Sequence, residues 1–424
     1  MYSQDHQSPH YPVVIVGAGQ AGLSVSYRLS QQGIKHLVID KGETMNAWKT
    51  KRWDSFTLVT PNWQCQLPDH AYAGGDPNGF MNREEIIDYL AGFEAKISAE
   101  VIEFTEVRRV HRLMPRGFQV ITDRGAVYAD QLVVATGAYH DPIYPSLSAQ
   151  LPAEVMQLHS EQYRNPNQLP TGGTLVVGSG QSGAQIAEDL HLANRKVWLA
   201  TGNAPRCARF YRGRDVVAWL AEMNYYDLPV HEHPLKEGAR DKTNHYVTGR
   251  DGGRDIDLRR FALEGMELLG HFEDFDGRQL RFAPTLGDNL DAADAVYNSI
   301  NLKIDRYIEQ EGISAPAESR YNPCWRPDRE RCQIPLATSG ITSVIWSIGF
   351  TPNFDWLSVD VLDPRGYPRQ ARGVSECPGL YFIGLPWLYT WGSGRFSGVD
   401  RDACHLVEEI RERMAHLGDI KKTA

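Results

Sequence analysis

Val13-Val14-Ile15-Val16-Gly17-Ala18-Gly19-Gln20-Ala21-Gly22, and a later stretch of the same form, Leu175-Val176-Val177-Gly178-Ser179-Gly180-Gln181-Ser182-Gly183, decide the fold. Each is a short apolar run, read as a buried strand, followed by G-x-G-x-x-G at the opening of a helical segment. That is the context in which the pattern binds a dinucleotide. The first glycine makes a tight turn, the second lets the backbone approach a pyrophosphate, and the third lets helix and strand pack closely. The helix N-terminus then offers unpaired N–H groups and the positive end of its dipole to the phosphates. A lone pattern of this kind is weak. Two in register with strands predict an α/β chain with two Rossmann-like domains, holding two dinucleotides between which electrons pass. The candidate contacts are Gly17, Gly19, Gln20, Ala21 and Gly22 at the first site, and Gly178, Gly180, Gln181, Ser182 and Gly183 at the second.

The two halves differ where the next strand ends. Lys35-His36-Leu37-Val38-Ile39-Asp40 closes on a carboxylate, followed by Lys41. A carboxylate at this spacing accepts hydrogen bonds from an adenosine ribose, as in FAD and NAD sites. Asp40 and Lys41 therefore join the first site. In the second half Arg195-Lys196-Val197-Trp198-Leu199-Ala200-Thr201 is the matching strand, and no acid follows until Asp215. Thr201, Asn203, Arg206 and Arg209 come instead. Hydroxyl, amide and guanidinium groups suit a ribose 2′-phosphate, which a carboxylate would repel. Thr201 and Arg206 are thus candidate ligands for NADPH; NADH stays open if the arginines lie on a solvated loop.

A chain of 424 residues with 42% hydrophobic content is long enough for two or three cored domains. The net charge of −9 argues against a nucleic-acid partner, and the basic stretch 206–214 is assigned to a cofactor phosphate. The first dozen residues are polar and carry no apolar core of a signal peptide, and no run is long enough to span a bilayer. A cytoplasmic protein without a membrane partner is expected, and a homo-oligomer is left open. Six cysteines (Cys65, Cys207, Cys324, Cys332, Cys377 and Cys404) are scattered with no C-x-x-C, which weighs against a disulfide reductase. His231-Glu232-His233 has no third ligand in view, so no metal site is expected.

The expected division is 1–152 for the first part of the FAD domain, 153–331 for the NADPH domain, and 332–424 for the second part of the FAD domain. An insertion is expected at about 203–260 in the middle part. Arg83–Phe93 has helical apolar spacing. Phe118-Gln119-Val120-Ile121-Thr122 and the run 126–129 read as a hairpin about Asp123-Arg124-Gly125. Gln131-Leu132-Val133-Val134-Ala135-Thr136-Gly137 reads as a separate buried strand. The chain is expected to return to the first domain through Thr342-Ser343-Val344-Ile345-Trp346-Ser347-Ile348-Gly349-Phe350, and to end in a helix over about 400–416.

With these residues in view, the chain resembles the two-dinucleotide flavin-dependent monooxygenases, a group that includes flavin-containing monooxygenases and YUCCA-type enzymes. More narrowly, it is similar to bacterial flavoproteins of nitrilase gene clusters. The resemblance spans nearly the whole chain. It rests on the two fingerprints, Ala135-Thr136-Gly137, Trp346-Ser347-Ile348-Gly349-Phe350, Pro378-Gly379-Leu380-Tyr381-Phe382-Ile383-Gly384, Phe396-Ser397-Gly398-Val399-Asp400-Arg401-Asp402-Ala403, and the stretch from Trp53 to Trp63. It implies FAD and NADPH as cofactors, with Trp48, Trp53, Thr60, Ala135, Thr136, Gly137, Gly349 and Gly384 among the cofactor contacts. It also implies that O₂ is activated as a flavin C4a-(hydro)peroxide and that one oxygen atom passes to a small, nitrogen-containing substrate.

Two departures stand out. Before the second fingerprint the family carries F-x-G-x-x-x-H-x-x-x-(W/Y); here His159 and Tyr163 keep their spacing, but Leu151 and Ala153 replace the Phe and Gly and two residues are added before the His. The family's flavin-side Asn corresponds to Val59, with Asn62 three residues on as its candidate replacement or else no such device. Asn62, Trp53 and Arg395 are the catalytic candidates, with Trp48, Phe56, Trp63, Trp387, Tyr389 and Trp391 as walls that exclude water. Arg395 either charges the flavin side of the last helix, whose opening at Gly398 would face reduced flavin, or pairs with Asp400 or Asp402. The insertion, with Tyr225, Tyr226, His245, Tyr246 and Thr248-Gly249-Arg250-Asp251-Gly252-Gly253-Arg254, reads as a lid or, in the favoured reading, a solvated surface loop. The alternative activity is an NAD(P)H-dependent reductase or dehydrogenase serving a quinone or protein acceptor; a flavoprotein that binds without turnover is a third.

Overall fold

The computed structural model describes residues 9–423, with side chains placed as far as 416. Eight of the N-terminal residues used above to argue against a leader lie outside that range. Two parallel sheets organise the chain. In the first, the strands run in the order Glu100–Ile102, His36–Ile39, His10–Val16, Gly125–Val134, Leu380–Phe382, all parallel. Val13, Val14, Ile15, Leu132, Val133, Leu37 and Val38 are all fully buried. Continuous β-branched and Leu runs of this kind suit a parallel sheet covered on both faces. Gln20–Gln31 and the last helix, Val399–Thr423, cover one face together.

The second sheet runs Met156–His159, Ile341–Trp346, Gly173–Val177, Val197–Ala200, Glu267–Leu269, again all parallel. This corrects the expected division. Ile341–Trp346 does not return to the first domain; it is an inner strand of the second sheet, hydrogen-bonded to both Met156–His159 and Gly173–Val177. Gln333–Pro335 also stays with the second half, as the third strand of an antiparallel extension with Phe272–Phe275 and Gln279–Phe282. The boundary drawn at 332 thus falls too early. The reason is visible in the pattern: a fully apolar strand fits the interior of either parallel sheet. The chain crosses back just after Trp346, where Phe350–Thr351 pairs antiparallel with Asp141–Pro142 of the outgoing crossing.

A second difference is local. The hairpin arm and the buried strand after it are one ten-residue strand, Gly125–Val134. Its first half pairs antiparallel with Phe118–Thr122 and its second half parallel with His10–Val16 and Leu380–Phe382. Arg83–Glu94 is helical, opened by an Asn82–Glu85 capping box.

Candidate active site

Both fingerprints build the same cradle. Gly17 and Gly178 take left-handed backbone angles, φ +111° and +100°, and a Cβ at either would stand 2.5 Å from the carbonyl oxygen of Ala135 or Ser347 respectively. Helices Gln20–Gln31 and Gln181–Leu192 begin at Gly19 and Gly180, with no side chain capping either. Their first N–H groups are therefore free for an anion. Beside each cradle a buried hydroxyl has no partner: Thr136 Oγ1 at the first and Ser347 Oγ at the second. Uncapped helix ends, open backbone above Gly19, and orphaned hydroxyls in matching places fit two dinucleotides.

Asp40 closes the first cradle. Its carboxylate accepts from the N–H groups of Ala18 (2.6 Å) and Gly42 (2.8 Å), so it shapes the phosphate loop as well as lying at the ribose position. Burial pushes its pKa up against these two bonds. Lys41 beside it is exposed. Gln20 ties the cradle to the rest of the site: its amide nitrogen donates to the Gly394 carbonyl at 3.4 Å, and its oxygen accepts from Trp48 Nε1 at 3.1 Å. Gly384 lies against Ala21, whose Cβ would be 2.7 Å from a side chain there. Thr60 is half-buried, and Gly137 turns at φ +74° after Thr136.

The second site corrects the phosphate assignment. Arg206 is 2% exposed, ion-paired with Asp294 at 2.9 Å and Asp257 at 3.7 Å, and it lies over the rings of Tyr297 (4.4 Å) and Tyr321 (4.0 Å). Thr201 is buried and donates to the Leu269 carbonyl at 2.7 Å. Neither is available to a cofactor phosphate. The other arginines of the basic stretch are paired too: Arg209 with Asp215, Arg212 with Asp305 and Arg214 with Glu222. A sequence pattern of four close arginines shows charge but not the distant acids, on helix Leu286–Glu311 and elsewhere, that neutralise it.

Three catalytic candidates divide. Asn62 is buried, its amide nitrogen donating to the Asp76 carbonyl (3.0 Å) and its oxygen accepting from Met81 N–H (2.7 Å). It therefore fastens the loop Asp76–Met81 and does not replace the Asn absent at Val59. Trp53 is 5% exposed and packs into the core of the second half beside Tyr163 and Leu190, edge-on to Phe56 at 5.0 Å. It is an inter-domain wedge. Arg395 pairs with neither Asp400 nor Asp402; Asp400 is taken by Arg28 at 2.6 Å. Its guanidinium lies 3.8 Å from the centre of the Trp391 ring and donates to the Trp391 carbonyl and to Asn244 Oδ1. The last helix opens at Val399, directly after Gly398.

The aromatic walls separate into groups. Trp48 contacts Phe396 (ring centres 5.0 Å) and Phe56 (6.3 Å), and Arg52 lies over Trp48 at 4.7 Å. Trp391 meets Tyr226 of the insertion at 4.4 Å, with Tyr225 against Tyr226. Trp387 instead closes a small core with Val230 and Ala239, and Trp63 makes no ring contact of this kind.

Residues that the sequence did not single out hold these parts in register. Asp189, on the second fingerprint helix, accepts from Ser55 Oγ (2.6 Å), Tyr163 OH (2.6 Å) and Arg250 Nη1 (2.8 Å). Its neighbour Glu188 pairs with Arg254 at 2.8 Å. The segment from Thr248 to Arg254 is therefore pinned to that helix, and it also presses on the first half: a Cβ at Gly249 would stand 2.0 Å from the Leu58 carbonyl. It is a buttress between the halves, neither a solvated loop nor a freely moving lid. The available signal was a pair of acids, Glu188-Asp189, inside an otherwise buried helix face. His159 Nε2 bonds the Gly349 carbonyl (3.0 Å), which also accepts from Ile143 N–H, so His159 and Gly349 fix the crossing between halves. With Glu161 N–H donating to its Nδ1, and burial lowering its pKa, His159 is neutral.

Two dinucleotide cradles of the same build, one on each parallel sheet, define a two-dinucleotide oxidoreductase. Comparison with known proteins gives the family. The profile of the pyridine nucleotide-disulphide oxidoreductases matches residues 14–227, and the chain belongs to that family. It is 31% identical over 403 residues to an uncharacterized CzcO-like oxidoreductase of Geobacillus kaustophilus, covering 94% of this chain and 97% of that one. It is 25% identical over 179 residues, 42% of this chain and 43% of the other, to a probable indole-3-pyruvate monooxygenase, YUCCA4, of Arabidopsis thaliana. In fold it is similar to the flavin-containing monooxygenase of Stenotrophomonas maltophilia, at TM-score 0.64 and 19% identity, covering 95% of this chain and 99% of that one. The chain is a flavin-dependent oxidoreductase that uses FAD and NAD(P)H. Among the described residues no helix is long and apolar enough to cross a membrane.

Proposed function

We propose that the protein is an FAD-dependent, NADPH-consuming monooxygenase that delivers one oxygen atom of O₂ to a small, nitrogen-containing molecule and releases the other as water. The observation that carries the reading is the run of aromatic contacts among three separate segments: Trp48 touches Phe56 and Phe396, and Trp391 touches Tyr226, which touches Tyr225. Oxygen insertion requires water to be kept from the reacting oxygen, and aromatic side chains brought together from distant segments suit that need. Bound flavin supplies hydride acceptance and reaction with O₂. The chain supplies position and electrostatics: Gly19 and Gly180 open helix ends for phosphates, Asp40 takes the ribose, and Thr136 and Ser347 offer their free hydroxyls. Arg395 and the amides at Val399 favour negative charge at the cleft. The protein acts in the cytoplasm, organised as an FAD domain in two parts around an NAD(P)H domain.

The test is stopped-flow absorbance: NADPH-reduced protein mixed with oxygenated buffer. A transient absorbing species between the reduced and oxidised spectra, and product labelled from ¹⁸O₂, support the reading. Direct reoxidation with stoichiometric hydrogen peroxide, across a panel of amines and ketones, overturns it. A second reading, a reductase serving a quinone or protein acceptor, is favoured by one observation: Asn62 is committed elsewhere and Val59 has no amide to offer. Rapid quinone reduction without oxygen insertion would establish it.

A further inference from the structure

Asp402, in the first turns of the last helix, is fully buried, and neither of its carboxylate oxygens makes a complete hydrogen bond. Among the described residues it is the one acid with both oxygens in that state. A buried carboxylate without partners is costly, so its place needs a reason. Ser393 supplies one. Its buried hydroxyl oxygen accepts from the N–H groups of Tyr389 and Thr390, each at 3.0 Å, which occupies both lone pairs. The hydroxyl proton must then go to another acceptor, and Asp402 is the acid on which Ser393 acts. Burial pushes the Asp402 pKa up to about 6, against Ser393 and the charges of Arg401 and Arg372, which pull it down. Thr390 is answered in the same way: its oxygen accepts from Gly392 N–H at 3.3 Å and from Arg401 Nη2 at 2.6 Å. The turn Trp391–Gly394 is thus closed by a Thr390–Ser393 capping box, and each hydroxyl of the box faces one residue of the last helix.

That turn leans on the first cradle. The Gly394 carbonyl accepts from Gln20 Nε2, the first residue of the fingerprint helix, and a Cβ at Gly394 would stand 3.1 Å from the carbonyl oxygen of Gly384, which itself lies against Ala21. On its other side Gly392 packs on Gly398, with a Cβ at Gly398 only 2.6 Å from the Gly392 carbonyl carbon. The turn therefore sits between the last helix and the cradle, with no slack on either side. We propose that Asp402 is a positioning residue for FAD, holding the turn 389–394 against the first cradle through Ser393, and holding it more tightly when ionised than when protonated. The charged form is the stronger acceptor for the Ser393 hydroxyl. The inference rests on the use of FAD and not on the oxygen chemistry. The other titratable and charged groups around Asp402 are Arg401 and His405 on its own helix, Arg372 ahead of Val374–Ser375, and Tyr389, whose ring lies 4.2 Å from the Arg372 guanidinium. At the cradle itself, burial shifts Asp40 up and His140 down.

The test uses oxidised, FAD-loaded protein without a nicotinamide nucleotide, so no turnover is involved. The rate of FAD release after dilution is followed by free-flavin fluorescence between about pH 5 and about pH 8. In the wild type, release should slow by about three- to tenfold as the pH rises through about 6, the step that belongs to Asp402. Asp402→Asn keeps an acceptor oxygen and removes the titration; Ser393→Ala keeps the acid and removes its link to the turn. Both variants should lose that step, while any contribution of Asp40 and His140 stays in all the proteins. The double variant should release FAD at the rate of Ser393→Ala. A wild-type rate with no step near pH 6 would overturn the assignment. So would a step that survives in Asp402→Asn, which gives it to another group, or one that survives in Ser393→Ala, which gives it to the Asp402 charge acting through space. If Asp402→Asn does not fold, the wild type and Ser393→Ala alone decide between these results.

Discussion

Gly183→Ala should separate the two dinucleotide sites. A Cβ at Gly183 would stand 1.8 Å from the carbonyl oxygen of Gly178, and that oxygen belongs to the turn on which the phosphate loop is built. Ordinary contact needs the helix to retreat from the turn by about 1.5 Å in an interior that does not compress. The turn cannot yield instead, because Gly178 is already hemmed by the Ser347 carbonyl and held by the Ala200 carbonyl at 3.0 Å. A shift of that size carries the first helical N–H groups out of hydrogen-bond range of a phosphate. Losing two charge-assisted bonds of ~1.5–3 kcal/mol each weakens nucleotide binding by about 3–6 kcal/mol, or roughly 10²–10⁴ in Kd. Overpacking itself costs ~1–3 kcal/mol of stability. The first cradle is built separately around Gly17 and Gly22, so FAD should remain. The assay is anaerobic flavin reduction by NADPH and NADH, with FAD content measured on the same sample. A yellow protein reduced at near wild-type rates at low NADPH would refute the reasoning. Gly22→Ala, 1.9 Å from the Gly17 carbonyl, should give the reverse, a colourless protein.

Arg206→Met should lower stability by about 3 kcal/mol by leaving Asp257 without a cation and Asp294 with Arg259 alone, yet leave the NADPH-to-NADH preference within about twofold of wild type; a large shift in that ratio would restore Arg206 to the phosphate. Asp189→Ala should cost a similar ~3–5 kcal/mol, because it strands the buried Tyr163 hydroxyl and Arg250 together, and limited proteolysis should then cut within 248–254. Glu188 is held up to about pH 7 chiefly by burial, against the pull of Arg254. It binds its proton more tightly folded than unfolded, so its contribution makes stability fall as pH rises from the ordinary carboxylate range to about 7, then level off. Thermal melts across that range should show the slope in wild type and its absence in Glu188→Gln; identical slopes would show that Glu188 titrates normally.

The fold was legible wherever a local rule determines it. Glycine spacing after an apolar run fixes a strand–turn–helix because only that geometry admits the close approaches of Gly22 to Gly17 and Gly183 to Gly178. The assignment of Ile341–Trp346 was not legible, because local pattern says that a strand is buried and not between which neighbours. Its place between Met156–His159 and Gly173–Val177 is a long-range pairing. Arg206 failed for a related reason. It follows the strand Val197–Ala200, but its partners lie at residues 257 and 294, and a charge without its counter-charge reads as a free ligand. Asn62 shows the same limit at shorter range, since its amide serves the backbone of 76 and 81.

The same blindness to partners conceals the opposite case. In sequence, Arg52 is one of three basic residues in Lys49-Thr50-Lys51-Arg52 and looks like solvated charge. Lys49 indeed pairs with Glu43, and Lys51 with Glu161. Only the folded chain shows that Arg52 lies over Trp48 with no acid, among the described residues, to pair with it, while Arg28 takes the acid that Arg395 was expected to find. Neutralising Arg206 strands a buried acid and should damage the fold, whereas neutralising Arg395 strands none and should spare it. Melts on Arg206→Met and Arg395→Met side by side would decide it: equal losses of stability would show that the acid partners of Arg206 do not set the difference.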